Sequence, residues 1–182
     1  MACTILSGRI EQCKDSVSGL KNVFFINYQI EKSDVTYDVT NTDLITAVIG
    51  VDSLYKFELK STENSFEQTI NSDRNNGTTF FTQTLNIKLK KQDIATSKAV
   101  KILSYGRPHI VIETNAGQFF LMGLRQGCDV VAGSLSSGGE MGSFNGYSLT
   151  FEAMEECYAN FLNAATQSAM VTLFTSATLV VG

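Results

Sequence analysis

The chain has 182 residues, 43% of them hydrophobic and only 18% charged, with 14 Lys and Arg against 18 Asp and Glu for a formal charge of −4. One histidine, one proline and no tryptophan leave no material for a multi-histidine metal site within one chain or for Pro-rich segments. The acid excess argues against tight duplex binding, which relies on Lys and Arg to neutralise phosphates.

Strand formers dominate, so a mostly-β domain is expected. The run Asn22–Ile30 reads as the first strong strand, with weaker candidates at Val35–Val39 and Leu44–Ile49. Leu54–Lys60 alternates cleanly: Tyr55, Phe57 and Leu59 face one way, Lys56, Glu58 and Lys60 the other. Ser65–Ile70 continues as a polar strand into Asp73-Arg74-Asn75-Asn76-Gly77, a turn signal because Asn and Gly tolerate positive φ. The return strand, Thr79–Leu89, sets Phe81, Leu85, Ile87 and Leu89 against Thr82, Thr84, Asn86 and Lys88. Residues 54–89 are therefore expected to form one long central hairpin.

The period then changes. Ile94, Ala95, Lys98, Ala99, Ile102 and Leu103 recur at helical spacing, and Gly106 with Pro108 supplies a stop, which predicts a helix over 92–105. His109–Glu113, the Asn115–Gly117 turn and Gln118–Gly123 predict a tight hairpin. Residues 125–146 hold six glycines and four serines and read as a flexible loop. It lacks the Gly-Lys-Ser/Thr that ends a phosphate loop. Gly146–Phe151 is a strand, expected to end near Glu152 before an irregular stretch. The tail, Ala169–Val181, reads as strand-like.

No catalytic constellation emerges. His109 follows Pro108 at a strand start among Ile and Val, with no nucleophile elbow anywhere, so a structural role is expected. Glu152, Glu155 and Glu156 read as a solvated face. Cysteines 3, 13, 128 and 157 lack Cys-x-x-Cys spacing, so free thiols are expected rather than a zinc or redox site. No catalytic, metal or cofactor-binding residue is predicted, and the chain is not expected to be an enzyme. No run approaches the ~20 apolar residues of a membrane span. The N-terminal residues lack the order of a signal peptide, so no secretion is expected. The missing charge is replaced by 17 Ser, 18 Thr and 12 Asn, a surface with few charges to guard strand edges against self-association.

The order Phe57–Lys60, Ser65–Gln68, Gly77–Leu85, a Lys-rich helix, Ile110–Glu113, Gly117–Gly123 and Asn145–Phe151 resembles the major tail tube proteins of tailed bacteriophages. The likeness spans about residues 20–165. It implies a mainly β chain: a β-sandwich, barrel-forming on assembly, with one flanking helix and a long central hairpin. Residues 1–20 would be an N-terminal arm, 21–165 the sandwich domain, and 166–182 a C-terminal arm or strand. The resemblance further implies a structural virion protein whose hexameric rings stack into a tube through which DNA passes. Its partners would be copies of itself, a tape measure protein and a terminator, and its place the virion tail, assembled in the host cytoplasm. By position, Glu63, Asn64, Ser65, Asp73, Arg74, Asn75, Asn76 and Gly77 would form a ring-stacking hairpin tip. Lys56, Glu58, Glu67, Thr82, Thr84 and Asn86 would face the lumen. The alternatives are another phage structural part (terminator, neck or baseplate hub, or capsid decoration protein) and, more remotely, a small ligand-binding sandwich.

Overall fold

A computed structural model of the chain describes residues 7–11 and 13–181. Among the described residues the protein is mainly β, with two sheets, two α-helices and no closed barrel. The expected N-terminal arm lies partly outside the described residues, as does Cys3.

The centre of the fold is β1 (Leu20–Ile26), β4 (Ser53–Glu58) and β7 (His109–Thr114). β1 pairs antiparallel with both of the others. Continuous apolar runs suit strands covered on both faces. Val23, Phe25, Ile110 and Ile112 enter one core, while Phe24, Ile26, Leu54 and Val111 enter a second. The large sheet grows outward from this centre. β8 (Phe119–Met122), β11 (Asn160–Leu162), β3 (Leu44–Val48) and β2 (Val35–Tyr37) follow β7 on one side, and β12 (Thr178–Val181) flanks β4 on the other.

The small sheet has the order β5 (Ser65–Asp73), β6 (Thr78–Lys90), β10 (Gly146–Glu155), β9 (Asp129–Ser136). Leu85, Ile87, Tyr147, Leu149 and Phe151 close the first core against the large sheet. The second core lies on the far side of the large sheet, where α2 (Gln167–Leu173) and the residue after it contribute Met170 and Phe174.

α1 (Ile94–Tyr105) ends where expected and starts two residues later, at the Asp93 cap. The Thr96 hydroxyl, at 2.6 Å, and then the Thr96 N–H, at 2.7 Å, donate to the Asp93 carboxylate and hold its carboxyl below the usual range, and the Gly106 N–H closes the last turn on Ile102. Its buried side matches the predicted set only in part: Leu103 packs on the first core. Val100 is buried, while Ile94 and Ile102 are exposed. The Tyr147 hydroxyl fixes the helix orientation by bonding Ser97 Oγ and donating to the Asp93 carbonyl.

Four further expectations need correction. Residues 54–89 are not one hairpin: β4 belongs to the large sheet, and only β5 and β6 form the long hairpin. The chain changes sheet at Ser61–Asn64, where buried Asn64 donates to the Ser61 carbonyl and accepts from the Lys88 N–H. The 125–146 stretch is not all loop, since β9 pairs with β10 through its backbone. Gly133 there leaves room for its neighbour: a Cβ would sit 3.0 Å from Leu149 Cδ2. β10 runs on to Glu155 because Ala153 and Glu155 continue its buried face. The tail is strand only at Thr178–Val181, because residues 167–173 coil to place Met170 and Phe174, four apart, in the second core.

Candidate functional site

The outward face of the small sheet gathers four of the six residues expected to line a lumen. Partners across an antiparallel ladder share a face. Three rows therefore cross the sheet: Ser65–Asn86–Thr150, Glu67–Thr84–Glu152 and Thr69–Thr82–Met154. The first is hydrogen-bonded throughout, the Thr150 hydroxyl donating to Asn86 Oδ1 at 2.8 Å and Asn86 Nδ2 to Ser65 Oγ at 3.2 Å. Asn71 Nδ2 also donates to Thr82 Oγ1. The face holds Glu67, Glu152 and Lys88, the last ion-paired with Glu63, among hydroxyls and amides. It presents neither a basic track nor an apolar floor.

Lys56 and Glu58 are elsewhere. They lie on β4 of the large sheet, 3.5 Å apart. Lys60, at 3.1 Å, and then Lys56 hold the Glu58 carboxyl below its usual range.

The expected hairpin tip also divides. Asp73 through Gly77 form the turn: Asp73 Oδ1 accepts the Asn75 and Asn76 N–H groups, and Gly77 takes φ 65°. This end projects, since β10 accompanies β6 only to the Phe81–Glu155 pair while β5 and β6 continue to Asp73–Thr78. Exposed Ile70 and Phe80 flank the projection, and Arg74 is exposed at its end. Glu63, Asn64 and Ser65 sit at the opposite end of β5, where Glu63 pairs with Lys88 and Ser65 faces Asn86.

Among the described residues, both sheets end on strands with one unpaired edge. β5 and β9 bound the small sheet, and β12 and β2 bound the large one. The edges carry exposed apolar side chains, Val131 and Leu135 on β9 and Val180 and Val181 on β12. Such strands are templates for pairing with another chain.

The interior polar groups are occupied by the fold itself. His109 Nε2 accepts the N–H groups of Gln29 and Ile30 at 3.3 and 3.2 Å, so Nδ1 carries the proton and donates to the Gly123 carbonyl at 2.7 Å. Burial pushes the imidazole pKa down. With both nitrogens used by backbone, the ring has no lone pair for a substrate. The sequence reading missed Gln83, which joins the two sheets by accepting the Gly123 N–H and donating to the Cys157 carbonyl. It also took Glu155 for part of a solvated face, whereas Glu155 is buried and its carboxylate accepts the N–H groups of Arg125 and Gln126. Burial raises the Glu155 pKa and pushes the Cys128 thiol well up, away from thiolate. Nothing in composition marks these two acceptors, because a lone Gln or Glu in an alternating strand looks like a surface residue. Glu152 and Glu155 point to opposite faces of β10, so the acidic run is no cluster. Among the described residues no group of three His, Cys, Asp or Glu is placed to hold a metal ion. No helix among them is long and apolar enough to cross a membrane.

Three cavities are open grooves. The first, about 590 Å³, runs between α1, β4 and β12. The second, about 570 Å³, lies beside β11, and the third, about 540 Å³, under the start of β5. Compared with protein family models, with curated proteins and with solved structures, the chain gives no match in any of the three.

Proposed function

We propose that the protein is a structural subunit that assembles with copies of itself into rings and then a tube, as in the tail tube of a tailed bacteriophage, with DNA passing through the lumen. The observation that carries this reading is the small sheet: covered on one face, polar on the other and open at both edges. A sheet of that kind completes its hydrogen bonding when β5 of one copy meets β9 of the next. Repeating that head-to-tail step closes a ring without leaving an edge. Its outward face would then become the inner wall. Hydroxyls, amides and two carboxylates against one tied lysine give a wall that does not grip phosphates, which suits a conduit for a polyanion. The projecting turn at Asp73–Gly77 is long enough to reach past its own sheet toward an adjacent ring.

The test is negative-stain microscopy of the purified protein with light scattering over a range of concentrations. Tubes or stacked rings support the reading. Single closed rings point instead to a terminator-like or neck component, and a monomer at every concentration overturns assembly altogether.

A further inference from the structure

The two edges of the large sheet are opposite in charge. At the β2–β3 end, residues 31–43 hold Glu31, Asp34, Asp38 and Asp43 against Lys32. Arg125 reaches this corner too, through the Tyr37 hydroxyl, and offsets one further charge. At the other end, the groove between α1 and β12 is bordered by Lys56, Lys60, Lys88 and Lys90. Glu58 and Glu63 neutralise two of these four, and among the described residues the Lys90 ammonium donates to the Lys60 carbonyl at 3.3 Å and pairs with no carboxylate. The groove is therefore left with a surplus of two positive charges and the acidic corner with two negative ones.

The shapes also correspond. The groove has an apolar lining that includes Phe57, Leu89 and Val180. The loop joining β2 to β3 carries Val39 between its two aspartates, and Val39 is 98% exposed. The loop is a firm turn: Asp38 Oδ1 accepts the Thr40 and Asn41 N–H groups, and the Leu44 N–H donates to the Asn41 carbonyl. A rigid loop with an exposed apolar tip loses little order on docking.

The two features lie on opposite flanks of the sandwich. Phe66 of β5 packs on Phe120 of β8, and Phe120 on Phe161 of β11, which puts the β5 edge on the β2–β3 flank. α1 contacts β9 and borders the groove, which puts the β9 edge on the β12 flank. A head-to-tail step that brings β5 of one copy to β9 of its neighbour therefore also brings the Asp38–Asp43 loop toward the neighbour's groove.

We propose that the occupant of the α1–β12 groove is the β2–β3 loop of a second copy, with Val39 seated on the apolar lining and Asp43 and Glu31 facing the lysine border. This rests on the reading above that copies associate head to tail, and it names a contact on the large sheet separate from pairing of the small sheets. Opposite charges steer the encounter and penalise head-to-head arrangements, in which like-charged edges would meet.

Two experiments test it. In a Cys3→Ser, Cys13→Ser background, Val39→Cys together with Val180→Cys gives a ladder of linked dimers, trimers and larger species under copper-phenanthroline oxidation. Neither cysteine alone gives one. Separately, Asp43→Lys raises the concentration at which assemblies appear by about tenfold, Lys90→Glu does the same, and the two together return it to within about threefold of the unaltered protein. Normal assembly of both single reversals, with no ladder from the cysteine pair, overturns this contact and leaves the assembly reading standing. A protein that stays monomeric by light scattering at all concentrations overturns both.

Discussion

The two sheets are held in different ways. In its centre the large sheet is buried on both faces, with Val23, Phe25, Ile110 and Ile112 toward the small sheet and Phe24, Ile26 and Val111 toward α2 and the residue Phe174. The small sheet is buried on one face alone, and its other face is a field of Ser, Thr and Asn side chains bonded mainly to one another. Folding therefore fixes nearly every residue at the heart of the large sheet. It leaves the outer residues of the small sheet open to be set by whatever they meet. The large sheet is covered on both faces at its centre, while the small sheet keeps one polar face uncovered.

Removing a buried anchor from the large-sheet side gives the largest effect. Phe174 is 1% exposed, and the chain beside it is tied to β3 by the Thr175 N–H on the Val48 carbonyl. Phe174→Ala leaves a cavity in the second core and lowers the unfolding free energy by about 3–5 kcal/mol in urea titrations. That is a large share of the ~5–15 kcal/mol an ordinary domain has.

The joint between the sheets comes next. Gln83 is 1% exposed and both of its amide atoms are used across the interface. Gln83→Leu keeps the volume but strands the Gly123 N–H and the Cys157 carbonyl, at a cost of about 2–3 kcal/mol in the same measurement. A cost near zero would mean that the two sheets are joined by apolar packing alone.

The pH dependence of stability tests the large sheet's turn at Gln29–Ile30. Burial holds His109 neutral, so the folded state binds fewer protons than the unfolded chain once pH falls below about 6.5. Stability is then complete above that pH and falls as pH drops through it, by up to about 1.4 kcal/mol per pH unit, until the folded-state pKa is reached. Glu155 acts with the opposite sign. Its pKa is raised by burial, so its contribution is complete at low pH and is lost as pH rises through the folded value. The comparison that isolates the imidazole is therefore His109→Gln against the unaltered protein, with Glu155 present in both. The variant is less stable at pH 7 and loses less stability between pH 7 and 5.

These contrasts also explain what the sequence disclosed. Strands at the centre of the large sheet were legible because burial on both faces forces uninterrupted apolar runs such as Val23–Ile26 and Ile110–Ile112. β9 was not, because it is held by backbone pairing to β10 while its own side chains include Ala132, Gly133 and Ser134, which read as loop. α2 was hidden by its Val and Thr content. Its cap, Thr166 Oγ1 accepting the Ala169 N–H, and the Met170–Phe174 spacing outweigh that local preference. For the candidate site, alternation set Thr82, Thr84 and Asn86 on one face of β6, and strand pairing puts Glu67 of β5 beside Thr84 on that face. The resemblance grouped Lys56 and Glu58 with them, yet β4 lies in the large sheet, and alternation within a strand says nothing about which sheet the strand joins.

The smallest effect on folding comes from the outer face of the small sheet, and it is the sharpest test of the contrast. Glu67 and Glu152 flank Thr84 in one cross-strand row, and Glu152 also stands opposite Asp129 on β9. Replacing both with Lys puts no charge into the core, so the unfolding free energy of the monomer changes by less than about 0.5 kcal/mol. The functional consequence is of a different order. If this face lines a lumen, the change adds four units of positive charge per subunit to the wall. Assembled tubes of the double variant then retain DNA in sedimentation assays at low salt and release it as salt is raised, while tubes of the unaltered protein retain none. Equal DNA retention by both sets of tubes would place this face away from the lumen. A large loss of monomer stability would show that the outer face is fixed by folding after all, and the distinction between the two sheets would fall with it.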